Sequence, residues 1–239
     1  RQWCARRNAE LAGPDSWLGL IALSWLEPGS NRVGSSADCV LVLPGEMAHL
    51  GDLVWDGADT TRLVWRPAPG SPAVLEGGGG DAPGGGVVVY TDAHEPATTV
   101  VIDEYRFFVI ARDGRLAVRL RDRNWQGRAP FAGLDYFPFD PVWQVEARWE
   151  SLDPPVTLAV PSVTGELKAV TVTGRAVFEQ DGQRHALLPM ETGDAGYFFV
   201  FRDQGAGRET YGAGRFLRAA PPRDGRLVLD FNRAYNPPC

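Results

Sequence analysis

Three features of the 239-residue sequence predict a mainly β fold, an antiparallel β-sandwich or open barrel with one short N-terminal helix. Short apolar runs recur between Gly, Pro, Asp and Asn punctuation, as strands in a meander or sandwich do. Asp113-Gly114 and Asp181-Gly182 each join two such runs, the signature of two-residue hairpin turns. No strand-like run alternates with a helix-length pattern, which disfavours doubly wound and βα-barrel folds.

Gln2 to Leu11 has helix composition and stops at Gly13-Pro14-Asp15, where proline removes a donor and glycine frees the backbone. Strands are expected at Leu18–Leu26, Arg32–Val33, Cys39–Leu43, Leu50–Trp55 and Thr61–Trp65. The stretch from Pro67 to Gly86 is dominated by Gly and Pro and reads as a flexible loop or linker. Val87–Tyr90 follows it as strand rather than helix, and no Lys-Ser or Lys-Thr is present, so a phosphate-cradling loop is disfavoured. Further strands are expected at 98–102, 105–111, 115–120, 143–149, 156–160, 166–172, 174–179, 184–188, 197–202, 216–218 and 227–229. Two arrangements fit: a region 1–90 containing the 67–86 loop followed by a β domain 91–239, or one continuous domain.

The chain holds 28 Gly and 19 Pro, is 44% hydrophobic and carries a net charge of -6, so it can fold around a core without staples. An acidic balance offers no global attraction to nucleic acid or an anionic bilayer. Trp17 to Leu26, the longest apolar run, is too short to span a membrane and is expected in the core, as are most of the eight tryptophans. Three cysteines, Cys4, Cys39 and Cys239, form neither a disulfide framework nor a zinc spacing, and a cytoplasmic setting is expected. The first residue is Arg1, so residues are expected to have been removed upstream.

His49, His94 and His185 stand far apart, so no metal site is expected from spacing, and whether the protein uses a cofactor is not legible in the sequence. A G-x-S-x-G elbow is absent. In Arg115–Asp122, alternation points Leu116, Val118 and Leu120 one way and Arg115, Arg119 and Arg121 the other. Such a row is either a charge-blunted solvent face or an anion site, because the guanidinium fork matches carboxylate and phosphate. The final third is dense in polar residues around Gly212 and Gly214, which permit close backbone approach. The ligand-binding candidates are therefore Arg119, Asp122, Tyr211, Arg215, Asp230, Asn232, Tyr235 and Asn236. A purely structural alternative is a β corner in which Asp230 pairs with Arg215 and the asparagines cap turns.

Glu209-Thr210-Tyr211-Gly212-Ala213-Gly214-Arg215-Phe216, followed by Leu229-Asp230-Phe231-Asn232-Arg233-Ala234-Tyr235-Asn236-Pro237-Pro238-Cys239, resembles the prokaryotic domain of unknown function 1684. The resemblance extends back through 197–203, 137–149 and 115–122 to 20–44, and family members continue beyond the position of Cys239, which implies a longer chain. It implies a shared polar motif and no known reaction. Arg32–Leu41 with His49 is also similar to the strand-loop-strand of forkhead-associated domains, where an Arg and a Ser hold phosphothreonine. Here those positions are Ser35 and Glu46, and a carboxylate there repels phosphate.

Three functions fit these residues: binding of a small anionic or polar metabolite in an Arg/Tyr/Asp/Asn-lined pocket, an enzyme using Asp230, Asp203 or Glu209 as acid or base there, or a structural or partner-binding module. A concave arrangement favours the first two and a flat apolar patch the third.

Overall fold

The computed structural model describes residues 2–161 and 167–237; the expected strand residue Glu166 and the terminal Pro238 and Cys239 lie outside them. The chain forms two compact units, Gln2–Leu134 and Asp135 onward, each with its own core. The two units divide between residues 134 and 135, and strand pairing crosses the Gly/Pro-rich stretch, β5 with β7 and β6 with β8.

The first unit opens with helix α1 (Gln2–Ala12) and a 3-10 turn at Trp17–Gly19 capped by Ser16, whose Oγ accepts from the Leu18 N–H at 3.2 Å. Ten strands follow: β1 (Leu20–Trp25), β2 (Gly29–Gly34), β3 (Leu41–Val42), β4 (Gly51–Trp55), β5 (Arg62–Pro67), β6 (Val74–Glu76), β7 (Val87–Tyr90), β8 (Thr99–Ile102), β9 (Tyr105–Arg112) and β10 (Arg115–Asp122). They make two five-stranded sheets, β1-β10-β9-β8-β6 and β3-β2-β4-β5-β7, antiparallel except for the short parallel pair β2–β3. Inward residues of both sheets share one core, in which Leu53, Trp65 and Val89 of one meet Phe107, Val109 and Leu116 of the other. Trp65 is fully buried and meets Phe107 edge-on at 5.6 Å between ring centroids. The unit is thus an open β-sandwich.

Several local expectations are corrected here. The 67–86 stretch holds β6, which pairs with β8, and a bridge from Asp81 to Val87, so the glycines shape a loop that belongs to the sheets. Of the eight tryptophans only Trp55 and Trp65 are buried, and in the Trp17–Leu26 run Trp17, in the 3-10 turn, and Leu23, on the outward side of the edge strand β1, are exposed. Cys39 precedes β3 rather than lying in it, yet is buried, and burial raises its thiol pKa. A raised pKa disfavours the thiolate, so Cys39 is expected to resist iodoacetamide at mildly alkaline pH and to react only on unfolding; peptide mapping of alkylation before and after denaturation checks this.

The second unit holds β11 (Gln144–Pro161), β12 (Leu167–Gln180), β13 (Gln183–Leu187), β14 (Pro189–Glu191), β15 (Tyr197–Phe201), β16 (Arg215–Ala219) and β17 (Arg226–Asp230). A four-stranded sheet, β13-β12-β11-β17, packs on a three-stranded one, β14-β15-β16, through Ala147, Ala176, Leu227 and Leu229 against Phe199 and Leu217. Runs expected as separate strands at 143–149 and 156–160 fuse into β11, and those at 166–172 and 174–179 into β12. Gly174 lets β12 run on past Trp149, since a Cβ at that position would lie 2.3 Å from the indole. Among the described residues, no helix is long and apolar enough to cross a membrane.

Candidate functional site

The eight candidate residues divide between the two units, Arg119 and Asp122 in the first and the other six in the second.

In the second unit the polar motif is tied largely to itself. Arg215 donates through Nη1 to Asp203 Oδ2 at 3.2 Å and through Nη2 to the Ala234 carbonyl at 2.7 Å, while Thr210 Oγ1 donates to Asp203 Oδ1 at 2.7 Å. Asp203, not Asp230, is therefore the partner of Arg215. Asp230 accepts from Gln144 Nε2 at 3.2 Å and Asn232 Nδ2 at 3.1 Å and pairs with Arg233 at 3.1 Å. Asn232 also accepts from the Asp140 N–H and donates to the Asp140 carbonyl, both at 3.0 Å, so its amide takes the place of a neighbouring strand's backbone. Asn236 Oδ1 accepts from the Tyr211 N–H at 3.3 Å, and Tyr235 exchanges backbone hydrogen bonds with Phe216. Gly214 is required at φ +127°, with a would-be Cβ 3.0 Å from the Phe201 carbonyl, whereas Gly212 meets only ordinary contacts. These bonds match the corner reading in kind, with the acid partner changed.

In the first unit, Asp122 accepts from the Asn124 N–H at 2.7 Å and caps a turn. Arg119 is different. The Asp113-Gly114 turn, with both residues at positive φ, fixes the β9–β10 register so that Arg112 lies opposite Arg115, Phe108 opposite Arg119 and Arg106 opposite Arg121. Cross-strand partners share a face, so five arginines stand on the outer side of one hairpin, together with Leu23 and Trp25 of β1. Two of the five were missed by reading β10 alone; the two-residue turn implies them, because it sets which residue of β9 opposes each residue of β10.

This face concentrates positive charge within an acidic chain: residues 106–128 carry seven arginines against two aspartates. Like charges directly opposite one another are unfavourable. Arg112 is relieved by Asp92 at 2.8 Å and Arg106 more weakly by Glu76 at 3.8 Å. Arg115, Arg119 and Arg121 instead lie over rings: Trp25 at 4.2 Å, Trp17 at 4.6 Å and Phe108 at 5.4 Å from guanidinium carbon to centroid. The Trp17–Gly19 turn lies against this row, with the Gly19 Cβ position 3.2 Å from Arg121 Cγ. The Nε atoms of Arg119 and Arg121 are buried with no hydrogen-bond partner among the described residues. Desolvation, and then Arg112, lowers the Arg119 pKa; desolvation does the same to Arg121.

Other polar clusters are weaker candidates. His49 pairs with Asp52 at 2.8 Å, while His94 stacks on Tyr90 and His185 on Phe178. A recess of about 100 Å³ beside Ser35 is lined by Glu46 and Asp103 and by no arginine or lysine, a poor setting for phosphate. A shallow groove of about 400 Å³ on the four-stranded sheet is lined by Arg148, Arg184, Arg226, Glu146 and Glu179. Its arginines are already paired, Arg226 with Glu146, and Arg148 and Arg184, together with neighbouring Arg175, with Glu150 beside the groove, and these arginines, Arg175 foremost, lower the Glu150 pKa.

Residues 129–239 match the family model described as protein of unknown function (DUF1684). The match contains the Glu209–Phe216 and Leu229–Cys239 motifs, while Arg115–Asp122 and the 20–44 region lie outside it. An uncharacterised protein of Haloarcula marismortui, solved by solution NMR, is 30% identical over 48% of this chain, with a TM-score of 0.39. The chain spans 65% of that protein's length. No curated protein matches the chain.

Proposed function

We propose that the protein binds a small organic anion, bearing carboxylate or phosphate groups, on the outer face of the β9–β10 hairpin with Arg119 at its centre. The supporting observation is the charge imbalance of that face: five arginines, four of them in two opposed pairs and Arg119 opposite Phe108, with Glu76 and Asp92 as the ion-pairing carboxylates. A ligand carrying fixed negative charge relieves this repulsion, and the rings beneath the guanidinium groups hold them in place.

Thermal denaturation at matched ionic strength, with phosphate, pyrophosphate, citrate and succinate against neutral glycerol, tests this reading. A ligand at a hundredfold excess over its Kd adds about 2.7 kcal/mol, a shift of several degrees. The expected result is a rise for a multivalent anion that Arg119→Ala abolishes. An equal rise in the variant, or none with any anion, overturns it.

A further inference from the structure

We propose that the free edge of β1 docks an extended acidic peptide segment of another protein, which joins the sheet as an antiparallel strand beside Leu23 and Trp25. The proposal rests on the arginine face described above for its charge and adds a backbone component to it. β1 stands at the end of the order β1-β10-β9-β8-β6 and, among the described residues, pairs with β10 alone. The Leu26 N–H donates to the Leu116 carbonyl at 2.9 Å, and the register runs back through Trp25 opposite Ala117, Ser24 opposite Val118 and Leu23 opposite Arg119. Bonded and non-bonded pairs alternate along an antiparallel ladder, so Ser24 bonds to β10 while Leu23 and Trp25 turn their N–H and C=O groups to the open side. Among the described residues nothing bonds to those four groups. Such an edge is a template for another strand unless charge, proline or a bulge blunts it. β1, Leu-Ile-Ala-Leu-Ser-Trp, has no charge and no proline, and its irregularity in register lies between Leu20 and Ala22, before the open stretch. Leu23 is 49% exposed.

The neighbouring charge identifies the occupant. Opposed residues share a face, so an added strand, roughly 4.8 Å from β1, sets the side chains paired with Leu23 and Trp25 on the arginine face. Arg115 already reaches toward that side: it belongs to β10, yet its guanidinium carbon lies 4.2 Å from the ring centroid of Trp25 on β1. Arg119, opposite Leu23, lies over Trp17, and neither arginine forms an ion pair among the described residues. Carboxylates on the outward side of the incoming segment therefore meet guanidinium groups. Its inward side chains extend the sheet beside Ala22 and Ser24, which are small and half-buried. The acids nearest in sequence, Asp15 and Glu27, lie outside β1, and Asp15 is paired with Arg123 at 3.3 Å. A basic segment would face like charge. In this mode of recognition main-chain bonds supply affinity and alternate side chains supply selectivity.

Fluorescence anisotropy of a labelled, capped peptide alternating glutamate and valine over about eight residues, titrated with the full chain, tests the proposal. The expected result is saturable binding that weakens as sodium chloride is added and is roughly tenfold tighter than for the same peptide with glutamine in place of glutamate. In the antiparallel pairing the glutamate N–H groups face β1 and the valine N–H groups face away. Methylating the glutamate nitrogens is therefore expected to abolish binding, and methylating the valine nitrogens to spare it. Leu23→Pro removes an outward N–H that takes no part in the β10 ladder, and is expected to lose the peptide while keeping the anion-dependent thermal shift. The methylated peptides, used with unaltered protein, decide the matter where circular dichroism shows that Leu23→Pro does not fold. No binding of the glutamate peptide, binding that does not prefer the valine-methylated form, or binding unchanged in a folded Leu23→Pro variant would overturn the proposal. If small anions still give an Arg119-dependent thermal shift while the peptide fails to bind, the strand proposal alone falls; loss of both responses removes the anion reading as well.

Discussion

Truncating Trp65 to alanine is expected to destabilise the protein by about 3–5 kcal/mol, lowering the first unit's calorimetric transition by roughly 10 °C. Trp65 lies on the inner face of β5 with 0% exposure, and its edge contact with Phe107 joins the two sheets of the sandwich. Removing the indole deletes its apolar contacts and opens a cavity that strands anchored on both sides cannot close. Trp65→Phe keeps a ring at the contact and is expected to lose much less. Differential scanning calorimetry on the three proteins checks the order; a Trp65→Ala transition within a degree or two of wild type would show that the sheets do not depend on this contact.

The second large effect is expected at Arg215. Its guanidinium holds Asp203 and the Ala234 carbonyl, and the side chain is only 17% exposed. Alanine leaves the Asp203 carboxylate with Thr210 and strips the carbonyl of its charged donor. The expected loss is about 2–3 kcal/mol, smaller than for a fully buried pair because Asp203 keeps some solvent. Urea denaturation measures it. Anion-dependent stabilisation is expected to persist in this variant and to vanish in Arg119→Ala. The reverse pattern would move the site to the second unit.

The candidate residues of the terminal motif look chemical in sequence because they are polar, dense and set among glycines. In the fold their donors and acceptors meet one another: Asn232 with Asp140, Asn236 with Tyr211, Arg215 with Asp203. Sequence cannot separate a ligand-binding polar cluster from a self-satisfied one, since the partners lie up to 92 residues away. The hairpin row was more legible, because alternation in 115–122 and the Asp113-Gly114 turn are local. Strand existence was likewise readable almost throughout, from Gln2–Ala12 as the helix to Arg226–Asp230 as the last strand. Element boundaries and the division at residue 134 were not, since β6 and β14 are three-residue strands held by pairing rather than by propensity.

The two-residue turn at Asp113-Gly114 also constrains how the chain can change over evolutionary time. One inserted residue there that slips the pairing by a single step carries Arg115, Arg119 and Arg121 to the side now held by Leu116, Val118 and Leu120, which are all buried. Such a variant loses the inner face of its sheet and its charged outer face at once. Turn residues outside the paired strands, such as Pro69-Gly70 between β5 and β6, set no hairpin register of this kind, and length variation among descendants of this sequence is expected to collect there and to spare the Asp113-Gly114 turn.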